Sequence, residues 1–238
     1  MSSDIAERFS RTGLLLGENA AELQNKRVLI VGVGGVGGYA VENIVRAGVG
    51  CVVMVDGDDV DVTNCNRQII ALSETIGKAK VDVWVERCRQ INPDGDFIPL
   101  HKFLKSAEDI DALLREGFDF VIDAIDDVPV KVELICQLKR KKIPFISSMG
   151  AGGKIDPMQV KLADLSKTSG CPLARVMRNK LKERRLQKGI PTVYSPEVPL
   201  RSFESKKIGS ISYLPAIFGC FCAASAISAL CGTKLHRG

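Results

Sequence analysis

Apolar residues along this chain gather into short unbroken runs. Between the runs lie longer stretches whose apolar positions return every three or four residues. Val28-Leu29-Ile30-Val31 and Val52-Val53-Met54-Val55 are apolar at every position, the mark of strands buried on both faces. From Val36 to about Ala47, the residues Val36, Ala40, Val41, Ile44 and Val45 fall on one helical stripe, which stops at Gly48, a suitable C-terminal glycine. The same reading predicts strands at about 27–31, 52–56, 97–100, 119–123 and 144–148. It predicts helices at about 36–47, 78–91, 107–116 and 128–141. Such β-α alternation predicts an α/β, Rossmann-like fold, with a mostly parallel sheet and helices on both faces.

The pattern changes after residue 153. Residues 155–163 alternate polar and apolar positions and read as an added strand. Leu173, Val176, Met177 and Leu181 set a helical stripe in a unit running from 173 to 188. Gly189–Lys207, with three prolines, reads as a mobile or partner-dependent loop. Ile208–Thr233 contains no charged residue and is long enough to span a membrane. Its Pro215, serines, glycine and alanines favour a final buried strand at 208–213 and a core helix at 216–230. Peripheral membrane association stays open. The 238 residues suit one domain: an N-terminal arm at 1–25, a nucleotide-binding core at 26–153, and a C-terminal part at 154–238.

Composition narrows the chemistry. Hydrophobic content of 45% supplies a full core, and the net charge of +5 permits an acidic partner without requiring one. Residues 175–188 carry seven bases and one acid. This helix is either a solvated face or a face for a phosphate backbone, with Arg175, Arg178, Lys182 and Arg185 as candidate contacts. The N-terminus lacks a signal-peptide pattern, and several of the eight cysteines sit in apolar runs (Cys51, Cys136, Cys231), which suits a cytoplasmic protein. No CxxC pair exists, so no zinc is expected. Only two histidines, His101 and His236, and no GxxxxGK[ST] loop are present, which argues against hydrolase triads, histidine metal sites and P-loop enzymes.

The chemistry gathers where strands end. Gly32, Gly34 and Gly37 have GxGxxG spacing directly after a strand. They allow a tight turn, close approach of backbone to phosphate, and close helix packing. Asp56 ends the second strand, where this fold places a carboxylate on ribose hydroxyls. Arg67 and Gln68 follow, and Arg67 offers a planar fork to phosphate oxygens. Lys78 and Lys80 open the next helix. Asp123, Asp126 and Asp127 end the fourth strand, where a carboxylate could hold magnesium between phosphates, cap the helix from Val128, or bond backbone. A nicotinamide-dependent oxidoreductase would leave Arg67, Gln68 and Lys80 unexplained. A non-catalytic nucleotide sensor would not need Asp126.

From about Arg8 to Gly232 the chain resembles the adenylating superfamily of ubiquitin-activating enzymes and the ThiF/MoeB-type activators of sulfur-carrier proteins. The resemblance implies that sheet extended by extra strands. It also implies ATP on Gly32, Gly34, Gly35 and Gly37, ribose on Asp56 with Asp58 beside it, and triphosphate on Asn64, Arg67, Gln68 and Lys80. Magnesium would bind through Asp126. Arg11 matches an arginine that reaches the partner's ATP in dimeric relatives, which implies a homodimer. Arg67, Lys80 and Asp126 would carry catalysis, and a monovalent cation near the carboxylates is a further expectation.

The chain is similar, more narrowly, to the branch of tRNA threonylcarbamoyladenosine dehydratases. The stretches that carry this are Arg8-Phe9, Gly13-Leu14-Leu15-Leu16-Gly17, Asn66-Arg67-Gln68-Ile69, Ile91-Asn92-Pro93, Ser147-Ser148-Met149-Gly150-Ala151-Gly152, Pro172-Leu173-Ala174-Arg175-Val176 and Gly209-Ser210-Ile211-Ser212-Tyr213. The branch implies ATP-dependent activation of a threonyl carboxylate on tRNA next to the anticodon, followed by ring closure. It also implies a link to a cysteine desulfurase system, although Cys171 and Cys231 read as structural. The alternative is an adenylyltransferase for the C-terminus of a ubiquitin-like sulfur carrier. Two positions depart from the branch: Ile70 stands where histidine is frequent, and Cys171 where an acid usually precedes Pro-Leu-Ala.

Overall fold

A computed structural model describes residues 7–200, 208–233 and 235; His236 and part of the 189–207 loop lie outside them. Strands β1 (Arg27–Val31), β2 (Cys51–Asp56), β3 (Asp96–His101), β4 (Phe120–Asp123), β5 (Phe145–Ser148), β6 (Lys161–Asp164) and β7 (Pro191–Tyr194) form one sheet in the order β3-β2-β1-β4-β5-β7-β6. All neighbours pair in parallel except β6 and β7, which are antiparallel. The helices are α1 (Ser10–Leu16), α2 (Asn19–Glu22), α3 (Gly35–Arg46), α4 (Lys80–Ile91), α5 (Ala107–Leu114), α6 (Val128–Lys141), α7 (Pro172–Glu183) and α8 (Tyr213–Leu230).

The unbroken apolar runs have the structural meaning expected of them. Val28 and Ile30 of β1 face one hydrophobic core, shared with α3, α4 and α8. Leu29 and Val31 face the other, shared with α5, α6 and α7. Successive side chains of a strand point to opposite faces, so a strand buried twice must be apolar throughout. Glu42 ties α3 to α4. Burial raises its carboxyl pKa, but hydrogen bonds from Arg87 and Arg46 outweigh this and hold it below the usual value.

The C-terminal third departs from expectation in several places. The segment read as a mobile loop contains β7, and Val193 of that strand is fully buried. The strand expected over 155–163 begins only at Lys161, after a 3-10 turn at Pro157–Gln159. No strand forms at 208–213. There Gly209 gives its carbonyl to Gly153 N, and Ser210 gives its carbonyl to Asn66 Nδ2, so these backbone groups bond loops instead of a sheet edge. The helix expected over 173–188 ends at Glu183, and Arg185 sits beyond it at φ 60°. α8 is apolar all round, with mean hydropathy 1.7. It lies close against α3: a methyl group on Gly219 would stand 2.3 Å from Val36 O.

Candidate active site

The carboxyl ends of β1, β2, β4 and β5 open onto a cavity of about 1850 Å³. Its floor is the turn between β1 and α3. Gly32 adopts φ +84°, and a methyl group on Gly37 would stand 1.7 Å from Gly32 O. Gly37 therefore lies behind the cavity wall as a packing residue, while Gly32, Gly34 and Gly35 line it. Two side chains pin the turn. Asp56 Oδ2 accepts from Val33 N at 2.8 Å, and Trp84 Nε1 donates to Val33 O at 3.2 Å. Amides at the start of α3 stand at the positive end of a helix, a position that suits an anion.

One wall holds the predicted cations. Lys80 is 5% exposed and pairs with Asp58 Oδ2 at 2.6 Å. Arg67 Nη1 donates to Thr63 O at 2.8 Å and to Asn66 Oδ1 at 2.9 Å. Asn64 Oδ1 accepts from Asp61 N and so fixes the turn that presents Arg67. Gln68 is buried beside Gly34, and its Oε1 has no hydrogen-bond partner. A buried amide oxygen without a partner beside a glycine turn suits a ligand that brings its own polar atoms. Across the cavity, Asp126 is exposed on its wall. Among the described residues no cluster of three or more His, Cys, Asp or Glu is arranged to hold a metal. A magnesium ion would need phosphate oxygens alongside Asp126, which fits a hard cation that takes one or two carboxylates plus phosphates.

Several other candidate residues do not line this cavity, or do other work as well. Arg11, on α1, does not line the cavity of its own chain, and neither do Arg175, Arg178, Lys182 or Arg185. Arg175, Lys182 and Arg185 are exposed, whereas Arg178 Nη1 donates to Thr168 O at 2.9 Å and to Thr168 Oγ1. Lys78 is exposed away from the cavity. Asp127 lines the cavity and also caps α6, its Oδ1 accepting from Val130 N. Ile70 is a core residue. Burial pushes the thiols of Cys222 and Cys88 up, the latter to about 12, as befits core cysteines.

Other groups at the site carried little signal in the sequence. Asp123 and Lys131 are wholly buried and paired at 2.9 Å; Ser147 Oγ donates to the same carboxylate, and Lys131 Nζ also donates to Ile125 O. This network fixes the loop that carries Asp126. Asp123 is a candidate by its place at the strand end, but nothing local in the sequence pairs it with Lys131 or Ser147. Lys154 and Phe103 also line the cavity. A methyl group on Gly57 would stand 2.5 Å from the Phe103 ring.

The chain is 42% identical over 206 residues to the tRNA threonylcarbamoyladenosine dehydratase of Bacillus subtilis, covering 85% of this chain and 81% of that protein. Its structure resembles the Escherichia coli tRNA N6-threonylcarbamoyladenosine dehydratase solved with AMP, at TM-score 0.92 and 36% identity over 97% of this chain and 96% of that one. The same enzyme solved with ATP matches at TM-score 0.91 and 36% identity, with the same coverage. The model of the ThiF family matches residues 8–237, and the chain belongs to that family.

Proposed function

We propose that this chain is an ATP-dependent, tRNA-modifying cyclodehydratase. It activates the threonyl carboxylate of N6-threonylcarbamoyladenosine next to the anticodon, and the modified base then closes into a ring with net loss of water. The observation that carries the reading is the cavity itself. A glycine turn, Lys80, Arg67, Asp126 and Gln68, whose buried Oε1 has no hydrogen-bond partner, line it together. A phosphoryl-transfer site needs fixed positive charge where charge develops on the α-phosphorus, already in place before reaction.

In this reading Gly32, Gly34 and Gly35 cradle phosphate through backbone amides, with Gly37 letting the helix pack close. Asp56 and Asp58 lie at the ribose, and Lys80 exchanges part of its contact with Asp58 for a phosphate oxygen. Arg67, Asn64 and Gln68 orient the triphosphate. The substrate carboxylate attacks the α-phosphorus, pyrophosphate leaves, and an acyl-adenylate remains. Magnesium, held by Asp126 and phosphate oxygens, would offset charge on the departing pyrophosphate. A monovalent cation beside the carboxylates belongs to the same reading. So do a homodimer in which Arg11 serves the partner's ATP, tRNA along α7, cytoplasmic work and a cysteine desulfurase partner.

Incubation with ATP, magnesium and threonylcarbamoyl-modified tRNA should release AMP and pyrophosphate and lower the nucleoside mass by one water. Asp126→Ala should lose both signals. Turnover of ATP only with a carrier protein ending in Gly-Gly would overturn the tRNA reading in favour of a carrier-protein adenylyltransferase.

A further inference from the structure

Beneath the loop that carries Asp126 lies an ion pair shut off from water. Asp123, the last residue of β4, and Lys131, near the start of α6, are both 0% exposed and stand 2.9 Å apart. Taking two charges out of water commonly costs as much as their attraction returns, and an apolar pair of similar volume would serve stability as well or better. The bonds that the pair makes with its neighbours point to another use. Asp123 Oδ2 accepts from Ser147 Oγ at 2.7 Å, which ties β4 to β5. Asp123 Oδ1 accepts from Ile125 N at 3.4 Å, and Lys131 Nζ donates to Ile125 O at 3.0 Å. Both backbone polar groups of Ile125 are therefore held by the pair. Asp127 is fixed at the start of α6, where its Oδ1 accepts from Val130 N and its carbonyl accepts from Lys131 N, each at 2.9 Å. Asp126 lies between these two held residues and is exposed on the cavity wall. The side of the loop that meets the glycine turn hangs on a different bond. Ala124 N donates to Val31 O at 2.8 Å, and it is the Ala124 carbonyl that lies against Gly32. Lys131 thus holds the Asp126 side of the loop, while the sheet holds the side that abuts the phosphate turn.

We propose that Lys131 is the positioning residue for Asp126. Paired with Asp123, it fixes the backbone of Ile125 and so aims the Asp126 carboxylate into the cavity, toward magnesium and the triphosphate. The inference rests on the magnesium role given to Asp126 above and adds the residue that places it. Lys131 does not line the cavity and acts only through the backbone it holds. Removing the groups that orient a metal-binding carboxylate typically costs about 10–100-fold in metal affinity. A displacement of about 1 Å near a reacting centre can cost about 100-fold in rate.

The test uses the full-length protein. Lys131→Met alone leaves Asp123 buried without its partner, a change that costs the fold heavily. The main variant is therefore Asp123→Asn combined with Lys131→Met, which removes both charges. Magnesium is titrated in the presence of ATP, first against melting temperature without tRNA, then against exchange of labelled pyrophosphate into ATP with modified tRNA. The double variant should melt within about 5 °C of the parent. It should keep the rise in melting temperature that ATP gives without magnesium, while the magnesium midpoint moves up about 10–100-fold. Exchange at the parental magnesium level should fall about 100-fold. A folded double variant with the parental midpoint would overturn the proposal and leave the pair as packing. Loss of the magnesium-free ATP response would overturn it too, because the pair would then support the whole cavity and not Asp126. If the double variant does not fold, Ser147→Ala takes its place. That change removes one hydrogen bond from Asp123 and should raise the midpoint about threefold or more, and an unchanged midpoint sinks the idea. A parent whose ATP response ignores magnesium would overturn the magnesium role of Asp126 and, with it, that of Lys131. A magnesium response lost in Asp126→Ala but kept in the double variant would overturn the role of Lys131 alone.

Discussion

A methyl group at Gly37 would meet the carbonyl of Gly32 at 1.7 Å, a distance no pair of real atoms tolerates. The obstacle is backbone, so the turn itself would have to move. Overpacking of this kind costs about 1–3 kcal/mol, and here the displaced atoms are those that would face phosphate. Gly37→Ala should lower the melting temperature and also abolish the rise in melting temperature that ATP confers on the parent. Gly13 offers the control. It lies inside α1 with nothing within 4 Å of an added methyl group, so Gly13→Ala should hold or gain about 0.5–1 kcal/mol and keep the ATP response. An ATP-induced shift that survives in Gly37→Ala would mean the turn bends without losing its ligand. These glycines were legible in the sequence because spacing alone encodes a local turn. The Asp123–Lys131–Ser147 network was not. Its members sit on β4, α6 and β5, and only the packed sheet brings them within hydrogen-bond distance.

Among the elements, α7 carries the charge. Ala174, Met177 and Leu181 anchor it to the core, and Arg175 and Lys182 stand exposed on the helix with Arg185 just beyond its end. Arg178 is already engaged by Thr168 and is the weakest of the four candidates. Replacing Arg175, Lys182 and Arg185 together by alanine should weaken tRNA binding. It should also flatten the salt dependence of the affinity, by about one unit of log–log slope for each phosphate that the helix no longer neutralises. Filter binding across a salt series measures both. An unchanged slope would make this face merely solvated. The strands and helices of the first 153 residues were legible because each carries its own period and its own end signals. β7 was not, because four residues among prolines carry too little pattern. It exists because β5 on one side and β6 on the other supply its hydrogen bonds. The segment at 208–213 misled for the opposite reason: apolar residues suggested a strand, while the bonding partners of its backbone are loops at the cavity rim.

At the scale of the whole molecule, one feature of a lone chain is out of place. Arg11 lies on α1, away from its own cavity, on an arm whose Leu14 and Leu15 are 88% and 85% exposed. α8 adds an apolar surface that α3 covers on one side only: Ile217 and Phe221 remain half-buried, and Cys220 and Ala224 are exposed. Apolar surface of this kind calls for a covering partner. A second copy would supply one through an isologous contact, in which the same arm serves both chains. Sedimentation should then give a dimer. Mixing gives the sharper result. If the arm serves the neighbour, Arg11→Ala should disable the site of its neighbour, and Lys80→Ala its own. Neither homodimer should turn over. After the two are unfolded and refolded together, about half of the dimers are mixed, and each mixed dimer has one site with Lys80 from one chain and Arg11 from the other. About a quarter of parental activity should return. No recovery in a mixture shown to contain mixed dimers would place Arg11 outside the reaction and return the arm to a structural role.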